Sequence, residues 1–145
     1  MSKFTHDLNS KILKFPVAAP ENPRKQAYLW GKSCEDEARL WFEQQNPDAK
    51  FISQNLHSYR GEIDLIFELH QERTLIFIEV KARTRELKFC GAIESMSYTK
   101  RRRLKRAIDQ FLLSYQGRAQ YIRIDVLALE AGTWTHWKNL WILED

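Results

Sequence analysis

Gly61-Glu62-Ile63-Asp64-Leu65-Ile66 and the later Phe77-Ile78-Glu79-Val80-Lys81-Ala82-Arg83 decide how this chain reads. Both stretches are rich in β-formers, and each carries charge where a buried strand takes an apolar side chain. Alternation puts Leu75, Phe77, Glu79 and Lys81 on one face of a strand from Thr74 to Lys81, with Ile76, Ile78 and Val80 on the other. Both faces are apolar, so the strand is central, and Glu79 and Lys81 stand at its C-terminal end. A turn at His70-Gln71-Glu72-Arg73 folds the preceding strand, Ile63 to Leu69, antiparallel to it and brings Asp64 across from Glu79 and Lys81. Buried charges are costly without a partner or a task.

Two carboxylates converging on one point offer oxygen ligands to a hard divalent cation, Mg²⁺ or Mn²⁺. Bound there, such an ion polarises a phosphate and lowers the pKa of a water, while Lys81 orients that water or offsets developing charge. A buried acid–lysine pair that fixes strand register is the plain alternative. Three charged groups at one end of two neighbouring strands favour the chemical reading over it.

Asp, a strand, then Glu-x-Lys resembles the PD-(D/E)xK superfamily, with its restriction-endonuclease-like fold. The wording is similar to the YraN-like bacterial proteins, relatives of archaeal Holliday-junction resolvases. Four blocks carry the resemblance in order. They are Gly31 with Glu35 and Ala38; Gly61 to Ile66; Ile78 to Arg83; and Phe89 with Gly91-Ala92-Ile93 leading to Lys100-Arg101-Arg102-Arg103-Leu104. The resemblance implies Asp64 and Glu79 as metal ligands and Lys81 as the catalytic lysine. It also implies a homodimer, and branched or irregular DNA as substrate in preference to RNA.

Glu35 reads on its own as a first-turn acid. Ser33 is placed to cap a helix, and Glu35, Asp36 and Glu37 suit the positive end of its dipole. The same periodicity sets Glu35 on the stripe of Ala38, Trp41 and Phe42, facing the core. The resemblance adds a glutamate near the metal, which makes Glu35 a third candidate catalytic and metal residue. Glu62 lies further toward the loop and reads as structural, or as support for the ligands.

Leu104, Ala107, Ile108, Phe111, Leu112 and Tyr115 follow helical spacing, with Ser97 or Thr99 as cap and Gly117 as stop. The first turns carry Lys100, Arg101, Arg102, Arg103, Lys105 and Arg106. Cations at a helix N-terminus oppose the macrodipole, a cost that an anionic partner reverses. A solvated face is the ordinary fate of such a run, but its placement favours a nucleic-acid contact. Arg60, Arg83 and Arg85 extend the same footprint from loops.

The chain has 145 residues, a net charge of +4 and a pI near 9.1, which fits one domain and a phosphate-rich partner. Cys34 and Cys90 form no Cys-x-x-Cys pair and read as reduced thiols of a cytoplasmic protein. Neither a signal peptide nor a membrane-length apolar run is visible. Residues 1–28, with Pro16, Pro20 and Pro23, read as a flexible or loosely packed arm ahead of an endonuclease-like domain at 29–145. Phe51 to Ser58 and Tyr121 to Leu129 read as further strands, and the Trp-rich Thr133 to Leu143 as a last one. The fold class is therefore α/β, a mixed central sheet flanked by helices in the order αβββαββ. The functional expectation is a metal-dependent nuclease, and the alternative is a non-catalytic nucleic-acid-binding protein that keeps the fold.

Overall fold

Asn22 and Pro23 start the first helix. In the computed structural model, which describes residues 22–83 and 97–139, helix α1 spans Pro23–Gln45. The Asn22 side chain accepts from the Arg24 and Lys25 amides at 3.0 and 3.3 Å. A proline at the first helical position gives up only an N–H that has no partner in the helix anyway. This corrects two expectations. Ser33 lies inside α1 instead of capping it, and Glu35, Asp36 and Glu37 are mid-helix acids, not acids at its positive end. The helix also takes in residues 23–28 of the segment read as an arm, while residues 1–21 lie outside the described residues. Asp36 has a structural task instead, accepting from Gln54 Nε2 at 2.6 Å and so tying α1 to the sheet.

The other elements are β1 (Ala49–Ser58), β2 (Gly61–Leu69), β3 (Thr74–Arg83), α2 (Tyr98–Ser114), β4 (Tyr121–Glu130) and β5 (Thr133–Trp137). The order αβββαββ is the expected one. The five strands form one sheet in the order β1-β2-β3-β4-β5, so β3 is the middle strand. Only the β3–β4 pair is parallel, because α2 carries the chain across between them. Ser97 caps α2 by accepting from the Lys100 amide at 3.2 Å, and the helix ends at Ser114, before the stop expected at Gly117.

Alternation along β3 sorts the core into two layers. Leu75 and Phe77 pack with Leu104, Ala107 and Ile108 of α2. Ile76 and Ile78 pack with Ala38 and Phe42 of α1. Each layer buries several large side chains, worth ~1.5–3 kcal/mol apiece. The ring of Trp134 lies 6.4 Å from that of Trp41 and belongs to this packing. Trp141 is outside the described residues.

The regular pattern fails near Asp64. Ile63 and Ile66 both join the α2 layer, although strict alternation separates residues three apart. On β1 the pairing with β2 shifts between Phe51 and Ser53, and Asn55 adopts φ 52°, a left-handed backbone that asparagine tolerates better than most residues. The end of the sheet that bears the charged residues is thus the locally distorted end.

Candidate active site

The β2–β3 ladder runs from Leu69 opposite Thr74 to Leu65 opposite Ile78. One step further the side chain of Asp64 takes over, its Oδ2 accepting from the Val80 amide at 2.8 Å. A buried N–H needs a partner, and here a carboxylate supplies it in place of a strand carbonyl. Asp64 is only 8% exposed and Glu79 only 2%. Burial pushes the Asp64 pKa well above the usual carboxylate range, Glu79 and then Glu35 push it further, and the Val80 amide only partly offsets them.

Helix α1 brings the third expected acid. Glu35 joins Asp64 and Glu62, and one carboxylate oxygen of each lies within 4.8 Å of the others. Glu62, read from sequence as support, is therefore a full member of the cluster, while Glu79 stands beside it. Burial raises the Glu35 pKa, a hydrogen bond with Asn55 lowers it, and Glu62 raises it again. One Glu35 oxygen, Oε2, is buried without a hydrogen-bond partner. Three convergent carboxylates, one with an unsatisfied buried oxygen, form an oxygen-only donor set of the kind hard divalent cations take. Glu35, Glu62 and Asp64 thus fit Mg²⁺ or Mn²⁺.

Glu79 is held by lysines. Its Oε1 lies 3.0 Å from Lys81 Nζ and also accepts from Lys100 Nζ. Burial lowers the Lys81 pKa, and the attraction of Glu79 only partly restores it. Burial also acts on Lys100, but Glu79 outweighs it and holds the Lys100 pKa above its ordinary value. Lys100, expected among the nucleic-acid contacts, is thus joined to the carboxylate site. The sequence showed it as one member of a basic run, and only the rotation of α2 separates it from its neighbours.

Arg101, Arg102, Arg103 and Arg106 are exposed along α2, and Lys105 is half-buried. The Arg102 guanidinium lies over the ring of Tyr98, 5.6 Å from its centroid. Arg60 is exposed in the β1–β2 turn. Arg83 ends β3 with its side chain outside the described residues, where Arg85 and Cys90 also lie. A groove of about 390 Å³ between this turn and the start of α2 is lined by His57, Glu62, Ser97, Lys100 and Arg103, among others. It joins the carboxylate cluster to a capped helix N-terminus and two cations, an arrangement suited to a phosphate chain.

Gly61 makes the groove possible. A Cβ there would meet the Arg103 carbonyl oxygen at 2.4 Å, so the turn rests directly on the α2 backbone. The close approach, not a special backbone angle, is what requires glycine.

A second buried acid is engaged differently. Asp125 on β4 is 0% exposed. It accepts from Arg123 Nε and Nη2, each at 2.9 Å, and from the Asn139 amide at 2.9 Å. His136 Nε2 is 2.7 Å away and donates to it. Burial pushes its pKa up, but His136 and Arg123 prevail and hold it below the ordinary range. Sequence alternation offered no sign that this aspartate is a core residue.

Residues 34–129 match the model of a family described as "Uncharacterised protein family UPF0102". A UPF0102 protein of Ralstonia nicotianae is 34% identical over 124 residues, covering 84% of this chain and 91% of its own length. One from Haemophilus ducreyi is 36% identical over 104 residues, 70% of this chain and 79% of that protein. One from Colwellia psychrerythraea is 38% identical over 103 residues, 69% of this chain and 75% of that protein. No helix among the described residues is long and apolar enough to cross a membrane.

Proposed function

The chain belongs to the UPF0102, or YraN-like, family, and from that premise we propose that it is a metal-dependent endonuclease acting on branched or irregular DNA. The observation that carries this reading is the convergence of Glu35, Glu62 and Asp64 within 4.8 Å, beside a Glu79–Lys81 pair. Glu35, Glu62 and Asp64 would hold Mg²⁺ or Mn²⁺, with Glu79 completing the acidic wall. When bound, the ion supplies Lewis-acid polarisation of the scissile phosphodiester.

The remaining work falls to the chain. Asp64 is oriented by the Val80 amide, so its second oxygen is preorganised. Burial lowers the Lys81 pKa, which eases a proton transfer at Nζ, and in its charged form the same atom offsets charge on the phosphate. Lys100 and Arg103 line the groove that leads to this point and would position the flanking phosphates. The basic run, the cytoplasmic setting and a homodimer belong to the same proposal.

The test is cleavage of labelled duplex, single strand, flap, fork and four-way junction with Mg²⁺, Mn²⁺ or chelator. Metal-dependent cutting should fall by about 10²-fold or more in Lys81→Ala and vanish in Asp64→Asn. Binding of a junction without any cutting by the wild type would instead favour the non-catalytic binding protein.

A further inference from the structure

The β1–β2 turn divides the surface of α2 into two hollows. One is the groove beside the carboxylates. The other, of about 250 Å³, is lined by Tyr59, Arg60, Arg106, Asp109, Gln110 and Leu113. We propose that this second hollow receives an unpaired nucleobase of the nucleic acid whose backbone lies in the first. The inference rests on the nucleic-acid reading given above and names the structural feature of the substrate that is selected.

Three observations carry it. The first is exposed apolar area. Tyr59 is 81% exposed and Leu113 is 90% exposed, so both present uncovered surface at one depression. The second is the fixing of the ring. Arg60 Nε donates to Tyr59 Oη at 2.6 Å, and its guanidinium lies 4.9 Å from the ring centroid. Tyrosine and guanidinium together form a stacking platform of the kind that binds bases without regard to sequence. The third is the chemistry of the rim. Arg60 and Arg106 suit phosphates, while the exposed Asp109 offers carboxylate oxygens as acceptors for the ring and exocyclic N–H groups of a base. The volume equals about eight waters at ~30 Å³ each, a space that one heterocycle occupies.

Placement fits the same occupant. Lys100 lines the first hollow and Arg106 the second. Six helical residues span ~9 Å, or two to three nucleotide steps at ~3.4 Å of rise per strand. A base in an intact duplex is stacked on both faces and cannot enter, so the hollow selects strands with unpaired positions.

The test is equilibrium binding in chelator, which separates recognition from cutting. Two probes are used, a blunt duplex and the same duplex with a three-nucleotide single-stranded gap carrying 2-aminopurine. Tyr59→Ala should weaken binding to the gapped probe by about tenfold and leave the duplex within about twofold. Tyr59→Phe, which keeps the ring but loses the hydroxyl that accepts from Arg60, should retain most of the binding and 2-aminopurine quenching that Tyr59→Ala loses. Leu113→Glu, at an exposed position, should repeat the selective loss. Equal losses on both probes, or none on the gapped one, would overturn the base site, and metal-dependent cutting by the wild type would then show the nuclease reading still standing. A wild type that binds neither probe would overturn both.

Discussion

Asp64 and Asp125 are both buried aspartates of one sheet, and they are treated in opposite ways. Asp125 is surrounded by donors from Arg123, His136 and Asn139, and its pKa is lowered. Among the described residues Asp64 accepts from the Val80 amide; it lies among other carboxylates, and its pKa is raised. A carboxylate used for architecture is saturated with hydrogen bonds, since an unsatisfied buried charge costs stability. One kept for binding is left under-compensated, and the deficit is the opening for a cation. Ile78 pairs with Leu65 on one side and with Asp125 on the other, so the two acids stand within one register step of each other and local partners, not position along the sheet, set the contrast.

The comparison breaks first if Asp125 proves dispensable. Asp125→Ala strands the Arg123 and His136 donors in the core and should cost about 3–5 kcal/mol, read from urea denaturation midpoints. A loss below 1 kcal/mol would mean that the network is not structural. Gly61→Ala comes next. The 2.4 Å approach to the Arg103 carbonyl forces the turn off α2, at a cost of about 1–3 kcal/mol, and should loosen the groove that includes Lys100. Thermal unfolding gives the stability cost, and amide exchange in α2 shows whether the helix start has moved.

The smallest effect sharpens the contrast through pH. Asp125, with its pKa lowered from 3.8, contributes stability that is present above that value and lost as pH falls through the folded-state value. Asp64, with its pKa raised well above 3.8, has the opposite sign. In the window between 3.8 and its folded-state value the native state binds more protons than the unfolded one, so stability falls as pH rises. Asp64→Asn in chelator should therefore flatten the decline in stability that sets in as pH rises above about 4, with no comparable loss of fold. Denaturation series of the two proteins across that range check it, and parallel curves would refute the raised pKa.

Much of this was legible in the sequence because charges interrupt apolar strands. Asp64, Glu79 and Lys81 declare themselves against Ile63, Phe77, Ile78 and Val80, and alternation alone sets the two lysine-linked residues on one face. The five strands, their sequence order and the central place of β3 follow from the same pattern and from the turn at His70 to Arg73. Other features depend on relations that a linear pattern does not contain. The start of α1 was obscured because Pro23 looks like a breaker unless Asn22 is seen capping behind it. Glu62 shares a strand face with Asp64 by simple alternation, but its meeting with Glu35 of α1 is a tertiary relation that the strand pattern does not contain. Lys100 reaches Glu79 only because of how α2 is docked, and that docking depends on the contact at Gly61. Asp125 looks like any polar residue of an edge strand until β5 is seen to cover it with His136.

A divalent cation should bind at the Asp64 cluster and not at the saturated Asp125. Thermal unfolding with increasing Mn²⁺ tests it most directly, because a ligand at 100 times its Kd stabilises the native state by about 2.7 kcal/mol. A saturable rise in Tm is expected for the wild type and for a folded Asp125→Asn protein, and none for Asp64→Asn. Equal rises in all three proteins would contradict it.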